Sequence, residues 1–302
     1  MLILSIVLVV AGGGMASAQA STEMAITIDD LPNSGPLPDG VSRLDVAKMM
    51  LDTLRRHQII EAYGFINAEH VEHEPETLGV LKEWVARGYP LGNHTFSHKA
   101  LSKVSAAEFL EGIAKNEPLL NQLSSGRDYK WFRYPFLIEG DTPHKREAVR
   151  DYLSKAGYKI AQVTIDFQDY MWNDAYVRCV EKGDRERIDW LKQSYLASAL
   201  GRLDRGKSLA NVLFHRPMKH ILVLHIGVFD AMMLDALLTE FEKRDVQFIR
   251  LADAGKDEAY TLDPHVMMTY GGGFLEQLMA SGHKKYLPSS KVPWREVEQT
   301  CR

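Results

Sequence analysis

The chain has 302 residues, 45% hydrophobic and 25% charged, a composition that excludes a disordered or low-complexity polymer. Its formal net charge of -4 and pI of about 6.3 exclude a broad basic face, so nucleic acid is not an expected partner. No like-charge run, Ser/Gly/Pro-rich linker or internal repeat divides it, and one domain over residues 21–302 is the simplest organisation.

Residues 1–20 carry no charged side chain. An apolar core, Leu2 to Val10, leads to Ala18-Gln19-Ala20, a small-x-small cleavage pattern, and is too short to span a bilayer comfortably. The expectation is a cleaved secretory signal over 1–20, a periplasmic or secreted product, and no stable membrane insertion after cleavage. A buried N-terminal helix or a retained anchor is the alternative, since no Lys or Arg precedes the apolar core. The two cysteines, Cys179 and Cys301, suit one disulfide after export, but spacing alone leaves their pairing open.

Short apolar runs predict strands at Met24–Ile28, Ala62–Ile66, Tyr89–Gly92, Trp131–Arg133, Lys159–Thr164, Ile221–His225 and Gln247–Ile249. Between them, apolar spacing of three and four predicts helices over Arg43–His57, Glu76–Arg87, Ala106–Leu123, Lys145–Ala156, Arg187–Leu203 and Ala231–Lys243. This alternation argues an α/β fold with a parallel sheet. Seven such units suggest a closed or nearly closed barrel, in which chemistry gathers at the C-terminal strand ends. A doubly wound open sheet is the alternative, although no G-x-G-x-x-G follows the first strand.

Those strand ends collect the unusual polar residues. Asp29 and Asp30 follow the first strand, His94 and His98 the third, Arg133 and Pro135 the fourth, Asp166 and Asp169 the fifth, and His225 ends the sixth. A four-residue interval puts His94 and His98 on one face if the segment is helical, and neutral imidazoles are common zinc ligands. Adjacent carboxylates repel unless a cation lies between them or they do different work. One aspartate as a ligand and the other as a base toward the water that the metal activates resolves that repulsion. Capping of the turn before Pro32 is the competing role for the pair.

The segments "TIDD", "HTFSH", "RYPF", "DFQDY" and "LVLH", in that order between Ala25 and Leu251, resemble the NodB-homology polysaccharide deacetylases, carbohydrate esterase family four. The resemblance implies a distorted (β/α)7-type barrel and metal-dependent removal of acetyl from an N-acetylated oligo- or polysaccharide. It implies Asp29 as general base, oriented by Arg133, and Asp30, His94 and His98 as metal ligands. His225 would be the general acid, supported by Asp169. Zinc is the implied ion, with cobalt, nickel or manganese as alternatives. Tyr134, Pro135, Tyr170, Trp172 and Val223 would line the substrate pocket. The chain departs from the family pattern at Leu31-Pro32, where a glycine is usual, at Tyr170 for tryptophan, and at Val223 for leucine. A small cyclic or linear amide is the alternative substrate. A non-catalytic carbohydrate-binding protein and a metal-free envelope structural protein are the alternatives of another class.

Some residues attract a plainer expectation. His70, His73, His215 and His220 lie in polar stretches and are expected at the surface. Trp131 could stack on a sugar, but a buried Trp is commoner. The glycines near 270–274 read as a turn. The resemblance fades beyond Asp253, and the segment after it is expected to pack on the barrel or frame the groove.

Overall fold

The computed structural model describes residues 21–302 apart from 125, 127–128, 268–270 and 283–291. The expected signal segment, 1–20, lies outside the described residues. In chain order the strands are β1 (Thr22–Leu31), β2 (Ala62–Ile66), β3 (Leu91–Asn93), β4 (Trp131–Phe132), β5 (Lys159–Ile160), β6 (His220–His225) and β7 (Val246–Phe248). The helices are α1 (Arg43–Arg56), α2 (Glu69–His73), α3 (Leu78–Ala86), α4 (Ala106–Ser124), α5 (Pro143–Lys155), α6 (Tyr170–Lys182), α7 (Arg185–Phe214), α8 (Val228–Glu242), α9 (Leu251–Ala254), α10 (Phe274–Ser281) and α11 (Trp294–Gln299).

All pairings are parallel, in the order β5-β4-β3-β2-β1-β6, with β7 on the first residues of β1. Two-sided burial explains why β1 and β6 read as continuous apolar runs rather than alternating ones. The chain after β5 closes most of the ring. Ala161 N–H donates to Phe132 O at 2.8 Å, then Thr164 N–H donates to Ile221 O at 3.0 Å. The expected strand over Lys159–Thr164 is thus shared between two neighbours and is regular only at its start. The sheet is a curled, barrel-like α/β fold of the expected kind.

Helix α1 shows how local sequence sets an element. Ser42 and Asp45 form a capping box, with Ser42 Oγ accepting from Asp45 N–H at 3.1 Å and Asp45 Oδ2 accepting from Ser42 N–H at 3.0 Å. Its buried face, including Val46, Met50 and Leu54, packs toward α3 and α8. Inside the barrel, space is tight. A Cβ on Gly92 would lie 2.8 Å from carbons of both Phe65 and Tyr63, so β3 requires glycine there.

One expectation fails here. His220 is buried, not at the surface, because it starts β6 and its Nδ1 meets Thr164 Oγ1 at 3.2 Å. Burial pushes its pKa down to about 4, so it sits neutral in the wall. Helix α6 follows Asp169 directly, in a segment where no helix was expected.

The C-terminal segment returns to the barrel. Phe274 N–H donates to Val163 O, and α10 packs on α7. The chain end is fastened to α6 by a disulfide between Cys179 and Cys301, whose Cα atoms are 5.2 Å apart. Arg178 Nη2 adds hydrogen bonds to the carbonyls of Glu298 and Thr300, both at 3.0 Å. The bridge closes a separation of 122 residues. Cys301→Ser should therefore lower unfolding free energy by up to about 4 kcal/mol through the freer unfolded chain. Urea midpoints of the variant and of reduced wild type should coincide below that of the oxidised protein.

Candidate active site

The two adjacent aspartates stand where β1 stops being regular. In a continuous strand their side chains would leave opposite faces. The pairing with β2 shifts register between Ile28 and Leu31, and Asp30 takes a left-handed φ of 64°. Aspartate tolerates that conformation better than most residues. The bulge turns both carboxylates into one cavity of about 950 Å3.

Asp29 is paired with a cation. Arg133 Nη1 reaches its Oδ1 at 3.1 Å and Oδ2 at 3.0 Å, while the same guanidinium binds Thr27 Oγ1 at 3.0 Å and Ala161 O at 2.7 Å. Both side chains are almost fully buried. Burial pulls the arginine's pKa down and the Asp29 charge pushes it up.

Asp30 has a different environment. His98 Nε2 lies 3.2 Å and His94 Nε2 3.4 Å from its Oδ1, an oxygen that is otherwise a buried orphan. Burial raises its pKa, and the imidazoles of His94, His98 and His225 overcome this, holding the carboxyl well below its usual range. His98 is driven down to about 4, first by burial, against the pull of Asp30. Its ring is therefore neutral near pH 7. His94 Nδ1 faces Arg133 O at 2.8 Å, so that nitrogen carries the proton and Nε2 presents a lone pair. The ligand atoms of Asp30, His94 and His98 lie within 4.8 Å of one another. One carboxylate oxygen and two imidazole nitrogens, one with its tautomer fixed, form a donor set that fits a divalent cation with positions left for water. An orphaned, buried Asp30 Oδ1 is what such an ion would satisfy.

The two histidines do not share a helix. They sit on an irregular segment in which Thr95 and His98 have φ of 64° and 50°. A buried asparagine network shapes it: Asn67 Nδ2 donates to His94 O and Thr95 O at 2.7 and 2.9 Å, and Asn116 Nδ2 donates to Asn93 Oδ1 at 3.0 Å. The rings meet at 4.8 Å between centroids.

Across the cavity, His225 Nδ1 faces Asp169 Oδ1 at 2.8 Å, and the His225 backbone N–H donates to Asp169 Oδ2 at 2.6 Å. Burial lowers the pKa of this imidazole, but Asp169 outweighs it and holds the proton well above the usual histidine range. Asp29 and His225 face each other in the β1–β6 register. Val223, two residues back on β6, lines the same cavity, as does Tyr170, 45% exposed, with its ring 5.0 Å from His225.

Three residues expected against substrate are elsewhere. Trp172 is wholly buried, its Nε1 donating to Ser194 Oγ, because α6 turns that face onto Phe167 and Tyr195. Tyr134 packs between Phe109 and Phe132, and its hydroxyl has no partner among the described residues. Pro135 is buried beneath the turn it starts. Trp131 is likewise core. Asp166 lines the cavity and accepts Gln168 N–H at 2.7 Å, its pKa raised by burial.

Sequence reasoning missed Phe136, 53% exposed, its ring tilted against His98 with centroids 4.5 Å apart and its φ at 59°. The signal was present in the Arg-Tyr-Pro-Phe run, where a proline-led turn puts the next aromatic outward. It also did not name the far wall, where Arg202 and Arg205 of α7 and Gly271–Gly273 and Glu276 of the segment beyond Asp253 join the cavity.

Residues 17–161 match the polysaccharide deacetylase family. The chain is 33% identical over 150 residues to a peptidoglycan-N-acetylglucosamine deacetylase of Bacillus cereus, covering 49% of this chain and 46% of the relative. It therefore spans less than half the length of that curated relative. Among solved structures, a peptidoglycan N-acetylglucosamine deacetylase aligns at 22% identity with a TM-score of 0.52, covering 78% of this chain and 88% of the other. A CE4 family pseudoenzyme from Bacillus anthracis aligns at 16% identity with a TM-score of 0.51, covering 78% and 65%. These likenesses show the fold.

Removing Arg133 leaves Asp29 buried and unpaired. Arg133→Leu should cost about 3–5 kcal/mol of stability in urea unfolding. Adding Asp29→Asn to that variant should return part of the loss.

Proposed function

Over residues 17–161 the chain belongs to the polysaccharide deacetylase family, and on that premise we propose that it is a metal-dependent hydrolase that removes N-acetyl groups from an N-acetylated glycan, releasing acetate. A pseudoenzyme shares the fold, so the reading rests on side chains. The observation that carries it is the division of labour between neighbours: Asp29 is held by Arg133 while Asp30 faces His94 and His98, all opposite the Asp169-supported His225.

Asp30, His94 and His98 would hold the divalent ion, zinc by donor chemistry. Bound there, it would supply Lewis acidity toward the acetamide carbonyl and lower the pKa of water. Asp29 then accepts a proton from the attacking water, and Arg133 aims that carboxylate through its two hydrogen bonds. His225 delivers its Nε2 proton to the departing nitrogen, and Asp169 stabilises the imidazolium before transfer. Val223, Tyr170 and Phe136 form the apolar wall near the acetyl group. The cavity is larger than an acetamido group needs, which favours a glycan over a small cyclic amide. The curated relative is named for peptidoglycan N-acetylglucosamine, and we take that glycan class as the substrate to test first. The disulfide favours an oxidising compartment, in keeping with an exported protein.

Acetate release from N-acetylglucosamine oligomers and peptidoglycan should stop with chelator and return with zinc. Asp29→Asn and His225→Ala should each lower kcat by about a hundredfold or more with bound metal unchanged. Asp30→Asn should instead reduce metal content by direct analysis. Full activity in the Asp29 or His225 variant would remove the role assigned to that residue.

The pH profile gives a separate check. A raised folded pKa keeps His225 protonated past the usual 6.5, so the acid is present at neutral pH and lost as pH rises through the folded value. Asp169→Asn should bring the alkaline limb of kcat down in pH.

A further inference from the structure

Asp230, in the first turn of α8, is fully buried five residues beyond His225. Its Oδ1 accepts a hydrogen bond from the Tyr195 hydroxyl at 2.8 Å. Its carboxyl also lies within hydrogen-bonding reach of the Asp169 side chain. Asp169 is already an acceptor on both oxygens, from Nδ1–H and from the backbone N–H of His225. Among the described residues no donor faces Asp230 Oδ2.

Two carboxyl groups in contact in a dry site cannot both be ionised, because repulsion and desolvation put a proton on one of them. The donors decide which. Asp169 receives two N–H groups, one from a cationic ring, whereas Asp230 receives one phenol. A proton on Asp230 Oδ2 accounts for the orphaned oxygen, since it then donates to Asp169. Burial first, and the Asp169 charge second, push the Asp230 carboxyl well above its usual range. The titratable groups facing it are Asp169, His225 and Tyr195. Burial keeps the Tyr195 phenol protonated and so a donor. The backbone approaches Asp230 closely: a Cβ on Gly227 would lie 2.7 Å from its Oδ2 and 2.9 Å from Asn173 Oδ1, so glycine is required there.

We propose that Asp230 is a positioning residue: a neutral carboxylic acid that donates a hydrogen bond to Asp169 and fixes the rotamer from which Asp169 holds His225. The proposal rests on the reading of His225 as the proton donor. Asparagine can reproduce a neutral Asp230, with its amide N–H toward Asp169 and its oxygen toward Tyr195. It cannot reproduce an anion.

The test uses the full-length, zinc-loaded chain. Asp230→Ala should lower kcat on N-acetylglucosamine oligomers by about tenfold to a hundredfold, with KM and bound zinc unchanged. Asp230→Asn should restore kcat to within about threefold of wild type and leave the alkaline limb where it was. A limb moved to lower pH in the asparagine variant would mean Asp230 is an anion that supports the His225 charge, and would overturn the proposal. So would an alanine variant with wild-type kcat. The titration of His225 followed by 15N-histidine NMR in wild type and Asp230→Asn decides the same question without turnover. An unchanged midpoint supports the proposal and a lowered one defeats it, even if the alanine variant does not fold. If no glycan is deacetylated, the functional reading fails while the NMR titration still decides the protonation of Asp230.

Discussion

Two carboxylates on consecutive residues face one cavity, and the rest of the site follows from what that arrangement costs. A strand would separate Asp29 from Asp30 by the thickness of the sheet. The bulge and the left-handed Asp30 bring them together, and the like charges then need opposite compensation. Arg133 supplies it for Asp29. Asp30 receives none from Lys or Arg among the described residues, only imidazoles. That asymmetry assigns different chemistry to neighbours that are identical in sequence.

The supporting structure is polar and deep. Arg133 can reach Asp29 because β4 ends early and its guanidinium is held by Thr27 and by the Ala161 carbonyl on the closing segment. Thr27 in turn donates to Leu222 O at 2.7 Å, tying β1 to β6 beneath the site. Asn67, Asn93 and Asn116 do the same for the His94 segment. Buried polar groups that bond one another in this way help specify one geometry. Strain accompanies them: Asp30, His98, Phe136, Leu137 and Gln168 all line the cavity with positive φ, as is common where a backbone is held for function.

Much of this was legible in sequence. The apolar runs placed all seven strands, most clearly β1, β2 and β6, where burial on both faces leaves a nearly unbroken signal. Asp29, Asp30, His94, His98, Arg133, Asp169, His225 and Val223 converge because each stands at or near a strand end, where the fold gathers polar groups. The failures share a cause as well. Trp172, Tyr134 and Pro135 sit one or more residues from side chains that do converge there, but side-chain direction in a turn or a helix start does not follow from proximity in sequence. His220 looked polar among Arg216, Lys219 and their neighbours, yet strand pairing carried it inside. The walls from α7 and α10 could not be read, since no periodicity says which helix crosses which strand.

The second half of the site repeats the logic of the first, with a proton in the place proposed for a metal. At β1 two neighbouring carboxylates coexist because an arginine and two imidazoles divide them. At the junction of β6 and α8, Asp169 and Asp230 coexist because one of them carries hydrogen. On the proposed reading, the cavity keeps acid and base apart by giving each carboxylate a separate donor set. His225 can retain a proton a short distance from Asp29 only while Asp169 is held to it.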